Sequence, residues 1–207
     1  MIIPYSAFSE TPPLLYRKYK RKDWFYDIRS YLWFRYYPIE ERLFESIRYV
    51  DFNSDNAGVY SYEFSSILRD MGAVFGSTID GFVRNVYEKR RTSLKDYVTF
   101  LLNEVKKIED LGVELKFPIN ERMVFPFKKV QSKSNKIPWW NAYNKIKHKD
   151  SIDYREGNLR NVTNGLASLA ILYKLMDPLG LHQSRIISNI GHFTMFTQDE
   201  HLVTFPS

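Results

Sequence analysis

Asn144, Lys145, Lys147, His148 and Lys149 place an amide, three cations and an imidazole within six residues. Side chains of these types together can bind or cleave a phosphodiester. A histidine with cationic neighbours favours the neutral imidazole, the form that accepts a proton. A base so positioned contributes typically about 10²–10⁴-fold to a rate. In such a site His148 takes the proton of a ribose 2′-hydroxyl, which attacks the adjacent phosphate. The lysines stabilise the charge that develops, and Asn144 holds a phosphate oxygen or orients the ring. Trp140, Asn144 and His148 recur every four residues, which puts them on one helix face, with Asn141 close beside it and Tyr143 within the same turn. The plainer reading of the same stretch is structural. Trp139 and Trp140 can each bury about 150–250 Å², enough to anchor a helix with no ligand present.

The element that must position these residues is a helix opening at Pro138, where a missing N–H costs nothing, and running to about Lys149. The polar loop Gln131 to Lys136 delivers the chain to it. From Arg122 to Lys149 there is no Asp or Glu but eight Lys and Arg, which leaves a balance of −2 for the rest of a chain whose net charge is +6. A second basic run, Arg17 to Lys22, interleaves with Tyr16 and Tyr19, a mixture that suits phosphate contact and base stacking. Either run could equally be a solvated, solubilising surface.

Other chemistries find little support. Cysteine is absent, so disulfides and thiolate-bound metals are excluded. His148, His182, His192 and His201 form no HxxxH or HxH pair, and no metal or other cofactor is expected. There is no GxxxxGK[ST] loop and no GxSxG elbow. The first residues do not read as a secretory signal, and no uncharged apolar run reaches the roughly 18 residues of a membrane span. A soluble, cytoplasmic protein with no membrane partner is expected.

The 207 residues, 44% hydrophobic and 16% aromatic, suit one packed domain with an N-terminal extended arm over residues 1 to about 15. The fold class expected is mainly all-α. Residues 23–37 are densely aromatic, and Pro38 with Glu40 and Glu41 marks a helix start. Residues 51–58 are turn formers. Tyr60 to about Glu88 is the strongest helix of the first half. Gly72, Gly76 and Gly81 within it point to close approach of another helix or of a ligand. Ser93 reads as the N-cap of a further helix to about Lys106. Around residues 112–136 alternating, proline-bearing segments predict an extended or β-hairpin insertion. Residues 150–157 read as a polar connection, Asn158 to Met176 as a long helix with a core stripe, and the tail from Leu181 as holding a short helix or strand.

Trp140-Asn-Ala-Tyr-Asn-Lys-Ile-Lys-His148, followed by the long apolar helix, resembles the HEPN superfamily of helical domains over about 40 residues. The motif of that family is an arginine, four to six residues, then a histidine, often with a polar residue after the arginine. The resemblance implies a HEPN-like helical bundle and metal-independent RNA cleavage across a homodimer cleft, in systems of the toxin–antitoxin or phage-defence type. His148 matches the histidine and Asn144 the polar position. Tyr143 stands where the arginine belongs, and Asn141 at the longer spacing. Two functions follow as expectations. The first is an RNA- or nucleotide-binding protein using Asn141, Tyr143, Asn144, Lys145, Lys147, His148 and Lys149, with or without endoribonuclease activity. The other is a non-catalytic helical module that docks a protein partner.

Overall fold

A computed structural model describes residues 22–87, 93, 96–97, 108–115, 123–128, 137–176 and 187–192. The extended arm, the basic run up to Arg21 and the loop 131–136 lie outside the described residues. The described part is mostly helical with a small antiparallel sheet. In chain order it comprises α1 (Lys22–Glu45), α2 (Tyr62–Tyr87), β1 (Leu111–Leu115), β2 (Met123–Val124), α3 (Pro138–Asp153), α4 (Leu159–Met176) and β3 (Ile187–His192). Among the described residues no helix is long and apolar enough to cross a membrane.

The aromatic segment is helical, and α1 runs on through Pro38 instead of restarting there. Proline removes one backbone bond and clashes with the carbonyl four residues back. That carbonyl belongs to Phe34, which is exposed, as is Pro38 itself, so the disruption falls on the solvent side. The opposite side holds the helix in place: Tyr36, Ile39 and Leu43 are buried, and the Tyr36 ring lies 5.8 Å from that of Tyr173 on α4. Tyr36 Oη donates to the buried Glu40 carboxylate at 3.2 Å. Arg42 fastens α1 to α2 through Glu63 at 2.8 Å, Ser66 at 2.9 Å and Asp70 at 2.5 Å. Its pKa is raised, chiefly by the bond to Glu63, so it stays charged.

Helix α2 begins where Ser61 Oγ accepts the Phe64 N–H at 2.9 Å, satisfying one of the first-turn donors. Its buried stripe is Phe64, Ile67, Leu68, Met71, Val74, Phe75, Ile79 and Val83. Helix α4 starts with Asn158 Oδ1 accepting the Asn161 N–H at 3.1 Å, and buries Leu159, Val162, Leu166, Leu169 and Tyr173. The polar connection expected over 150–157 is instead the last turn of α3 followed by a 3₁₀ turn, Tyr154–Glu156. Tyr154 holds it down by stacking on Tyr62 at 4.8 Å, and its carbonyl accepts a 2.7 Å bond from Ser65 Oγ.

The insertion is a hairpin, with Val113 opposite Val124 and Glu114 opposite Met123. The tail supplies β3, antiparallel on the other edge of β1, so the strand order is β2-β1-β3. This sheet packs on α4, while α2 lies against α1, α3 and α4. Ser93 does cap a helical start: its Oγ accepts the Asp96 N–H at 3.4 Å, and its own N–H donates to Asp96 Oδ2 at 2.9 Å. Of that segment only Ser93, Asp96 and Tyr97 are described.

Candidate functional site

Pro138 occupies the first turn of α3, after an Ile137 in extended conformation with no side-chain cap. Trp139, Ala142, Tyr143 and Ile146 form the face of α3 that is buried against α2 and α4. Trp139 is wholly buried, its ring 5.0 Å from Phe75 in an edge-to-face pair. Trp140 sits between Tyr143 at 4.9 Å and Tyr97 at 5.7 Å. The two tryptophans are therefore the anchor of this helix.

The α2 glycines account for how closely the two helices meet. A Cβ on Gly72 would lie 2.6 Å from Tyr143 Cε2, and one on Gly76 would lie 3.0 Å from Trp140 Cη2. Gly72→Ala should therefore force the buried Tyr143 ring aside. We expect a net loss of about 1–2 kcal/mol in urea unfolding, the overpacking cost outweighing the helix propensity gained. In Tyr143→Leu, with a smaller side chain under Gly72, the same substitution should cost measurably less.

Between α2 and α3 lies a groove of about 430 Å³, lined by Gly72, Gly76, Ser77 and Asp80 from one side and Trp140, Tyr143, Asn144 and Lys147 from the other, with Tyr97 at one wall. Asn144 and Lys147 are thus brought together. Lys147 Nζ stands 5.7 Å from the Tyr143 ring centroid and makes no ion pair among the described residues. Asp80 pairs with Arg84 at 2.7 Å, which offsets the one carboxylate among the described residues of the groove.

The remaining candidates are spread around α3. Lys145 is exposed and bound to Glu156; that hydrogen bond and the charge behind it raise its pKa. His148 is exposed and is not among the groove residues, because eight positions of helix turn it away from Trp140. Asn141 is half-buried, and its N–H closes the first helical bond to Ile137 at 3.0 Å. Tyr143 is 7% exposed, so it offers the groove a ring surface and not an arginine's donors. The Lys149 side chain lies outside the described residues. Ser77, Asp80 and Tyr97 were not singled out as site residues from sequence; the four-residue spacing of Gly72, Gly76 and Asp80 was the available signal. Among the described residues no three His, Asp or Glu side chains gather into a metal site.

Comparison of the chain with protein-family models, with curated proteins and with solved structures finds no match.

Proposed function

We propose that the chain is a HEPN-like helical protein that binds single-stranded RNA or a nucleotide along the α2/α3 groove, and that it binds without cleaving. The observation that carries this reading is the placing of Asn144 and Lys147 over an aromatic wall of Trp140, Tyr143 and Tyr97. A lysine without an ion pair among the described residues meets a phosphate, an amide offers both donor and acceptor, and the aromatic wall gives a base an apolar surface to lie against. The binding half of the proposal rests on the groove and on the resemblance of residues 140–148 to the family. Two features of α3 weigh against cleavage. Tyr143, in the position of the family's arginine, is buried against Gly72, and His148 is exposed and is not among the described residues that line the groove. A tyrosine ring cannot imitate the fixed, always charged donor fork of arginine.

Fluorescence anisotropy with a labelled single-stranded RNA tests the binding. Lys147→Ala should weaken it about three- to tenfold and reduce the slope of log K against log salt by about 0.7, one phosphate contact on a single strand. Unchanged affinity and slope in Lys147→Ala would place the RNA elsewhere. Gel analysis of the same RNA should show no product. RNA cleavage by the purified protein that is abolished in His148→Ala would overturn the non-catalytic half alone.

One observation favours a protein partner. Tyr62 is 76% exposed and stacked on Tyr154, and Arg155 lies 5.6 Å from the Tyr60 ring, an aromatic and arginine surface of the kind that anchors protein interfaces.

A further inference from the structure

A second cavity, of about 330 Å³, lies between the 51–58 loop, strands β1 and β2 and the first turns of α4. Among the described residues it shares none with the α2/α3 groove. Its floor is apolar, formed by Phe52, Leu115 and Leu159, each 3% exposed, with Val124 beside them. Its polar side comes from Arg160 and Asn164, one turn apart on α4. Asn164 Nδ2 donates to the Arg160 carbonyl at 2.7 Å, which leaves its side-chain oxygen and second N–H for other partners. The Arg160 side chain is exposed and makes no ion pair among the described residues.

The walls are stitched together by backbone and side-chain bonds. Arg160 N–H donates to the Ala57 carbonyl at 3.0 Å and Leu159 N–H to the Val59 carbonyl at 2.9 Å. Within the loop, Asn53 Oδ1 accepts the Asn56 N–H at 2.9 Å and the Ser54 carbonyl accepts the Ala57 N–H at 3.1 Å. A loop bonded in this way to the start of α4 presents a cavity already formed, so little ordering remains to be done on binding.

We propose that this cavity binds a small organic anion with an apolar or aromatic body, its acid group on the Arg160 guanidinium and its body against Phe52, Leu115 and Val124. A guanidinium without an acidic partner offers a planar fork that fits a carboxylate, sulfonate or phosphate. The adjoining apolar floor favours a ligand with a hydrocarbon body over inorganic phosphate, because only the former removes that surface from water. This site is independent of the nucleic-acid reading, and either can fail without the other.

The test uses two fluorescent probes on the full chain: 8-anilinonaphthalene-1-sulfonate, which is anionic, and N-phenyl-1-naphthylamine, a neutral molecule of similar body. Arg160→Gln should weaken the sulfonate about tenfold, the scale of a lost charged hydrogen bond, and leave the neutral probe unchanged. Ala57→Trp, which fills the cavity from the loop side, should weaken both. Circular dichroism establishes that each variant is folded. Sulfonate affinity unchanged in Arg160→Gln, equal loss of both probes in that variant, or both probes unaffected by Ala57→Trp would each overturn the proposal.

Discussion

Trp139→Ala is expected to cost the folded protein about 3–5 kcal/mol, the range for emptying a fully buried tryptophan site. The expected readout is a lower urea midpoint with the slope of the transition preserved. Trp139 is 0% exposed, and its indole packs edge-on against Phe75 and against Trp140 at 5.7 Å, where α2, α3 and α4 meet. Its removal leaves a void bordered by Gly165, which has no side chain with which to fill it. The indole Nε1 has no hydrogen-bond partner among the described residues. Trp139→Phe should therefore cost much less, about 1 kcal/mol, because the lost volume is partly offset by removing an unpaired buried donor. Equal losses in the two variants would show that the site does not depend on ring packing. A loss below about 1 kcal/mol in Trp139→Ala would show that α3 is anchored elsewhere.

Gly157→Ala is expected to cost about 3 kcal/mol, at the upper end for overpacking. A Cβ there would stand 2.5 Å from the Cα and N of Ser65, in the first turns of α2. Backbone cannot rotate away as a side chain can. The 3₁₀ turn would have to lift off α2, straining the bond from Ser61 N–H to the Gly157 carbonyl at 3.2 Å and that from Ser65 Oγ to the Tyr154 carbonyl. Gly58→Ala is the internal control, since a Cβ there meets nothing within 4 Å. It should be neutral or stabilise by about 0.4–1 kcal/mol through the unfolded chain. Thermal unfolding of the two variants side by side separates these cases, and a neutral Gly157→Ala would sink the claim that the two backbones touch.

The positions of these glycines show how far residue types alone could be read. Gly72 and Gly76 stood out because glycine weakens a helix, and close approach was the natural inference; that their neighbours are Tyr143 and Trp140 depends on the crossing of α2 and α3. Gly157 was simply the end of the polar connection expected over residues 150–157, since nothing local reveals its contact with Ser65, 92 positions earlier in the chain. Pro38 misled for a related reason. Proline is costly inside a helix when its surroundings are buried, and only the folded structure shows that Phe34 and Pro38 face solvent while Tyr36 and Ile39 are held in the core. The hairpin was legible from alternation and proline placement. The tail read as holding a short helix or strand, but its pairing with β1 was not legible, because β1 and β3 are more than 70 residues apart and pairing partners leave no local mark.

For the candidate site the division is sharper. By itself the sequence determined that the described part is mainly helical, that a helix opens at Pro138, that the tryptophans anchor it, and that cations without acids surround it. These follow from proline geometry, hydrophobic period and charge order, all local properties. Only tertiary structure decided which of those cations are still available. Glu156 approaches Lys145 across the turn after α3 and Asp80 brings a carboxylate to the groove, so a stretch with no acid in sequence is not without acid in space. It also decided that Asn144 and Lys147 share a groove while His148 does not. A helix advances about 100° per residue, so residues spaced by four drift round its surface, and the packing of α3 on α2 sets where the groove ends.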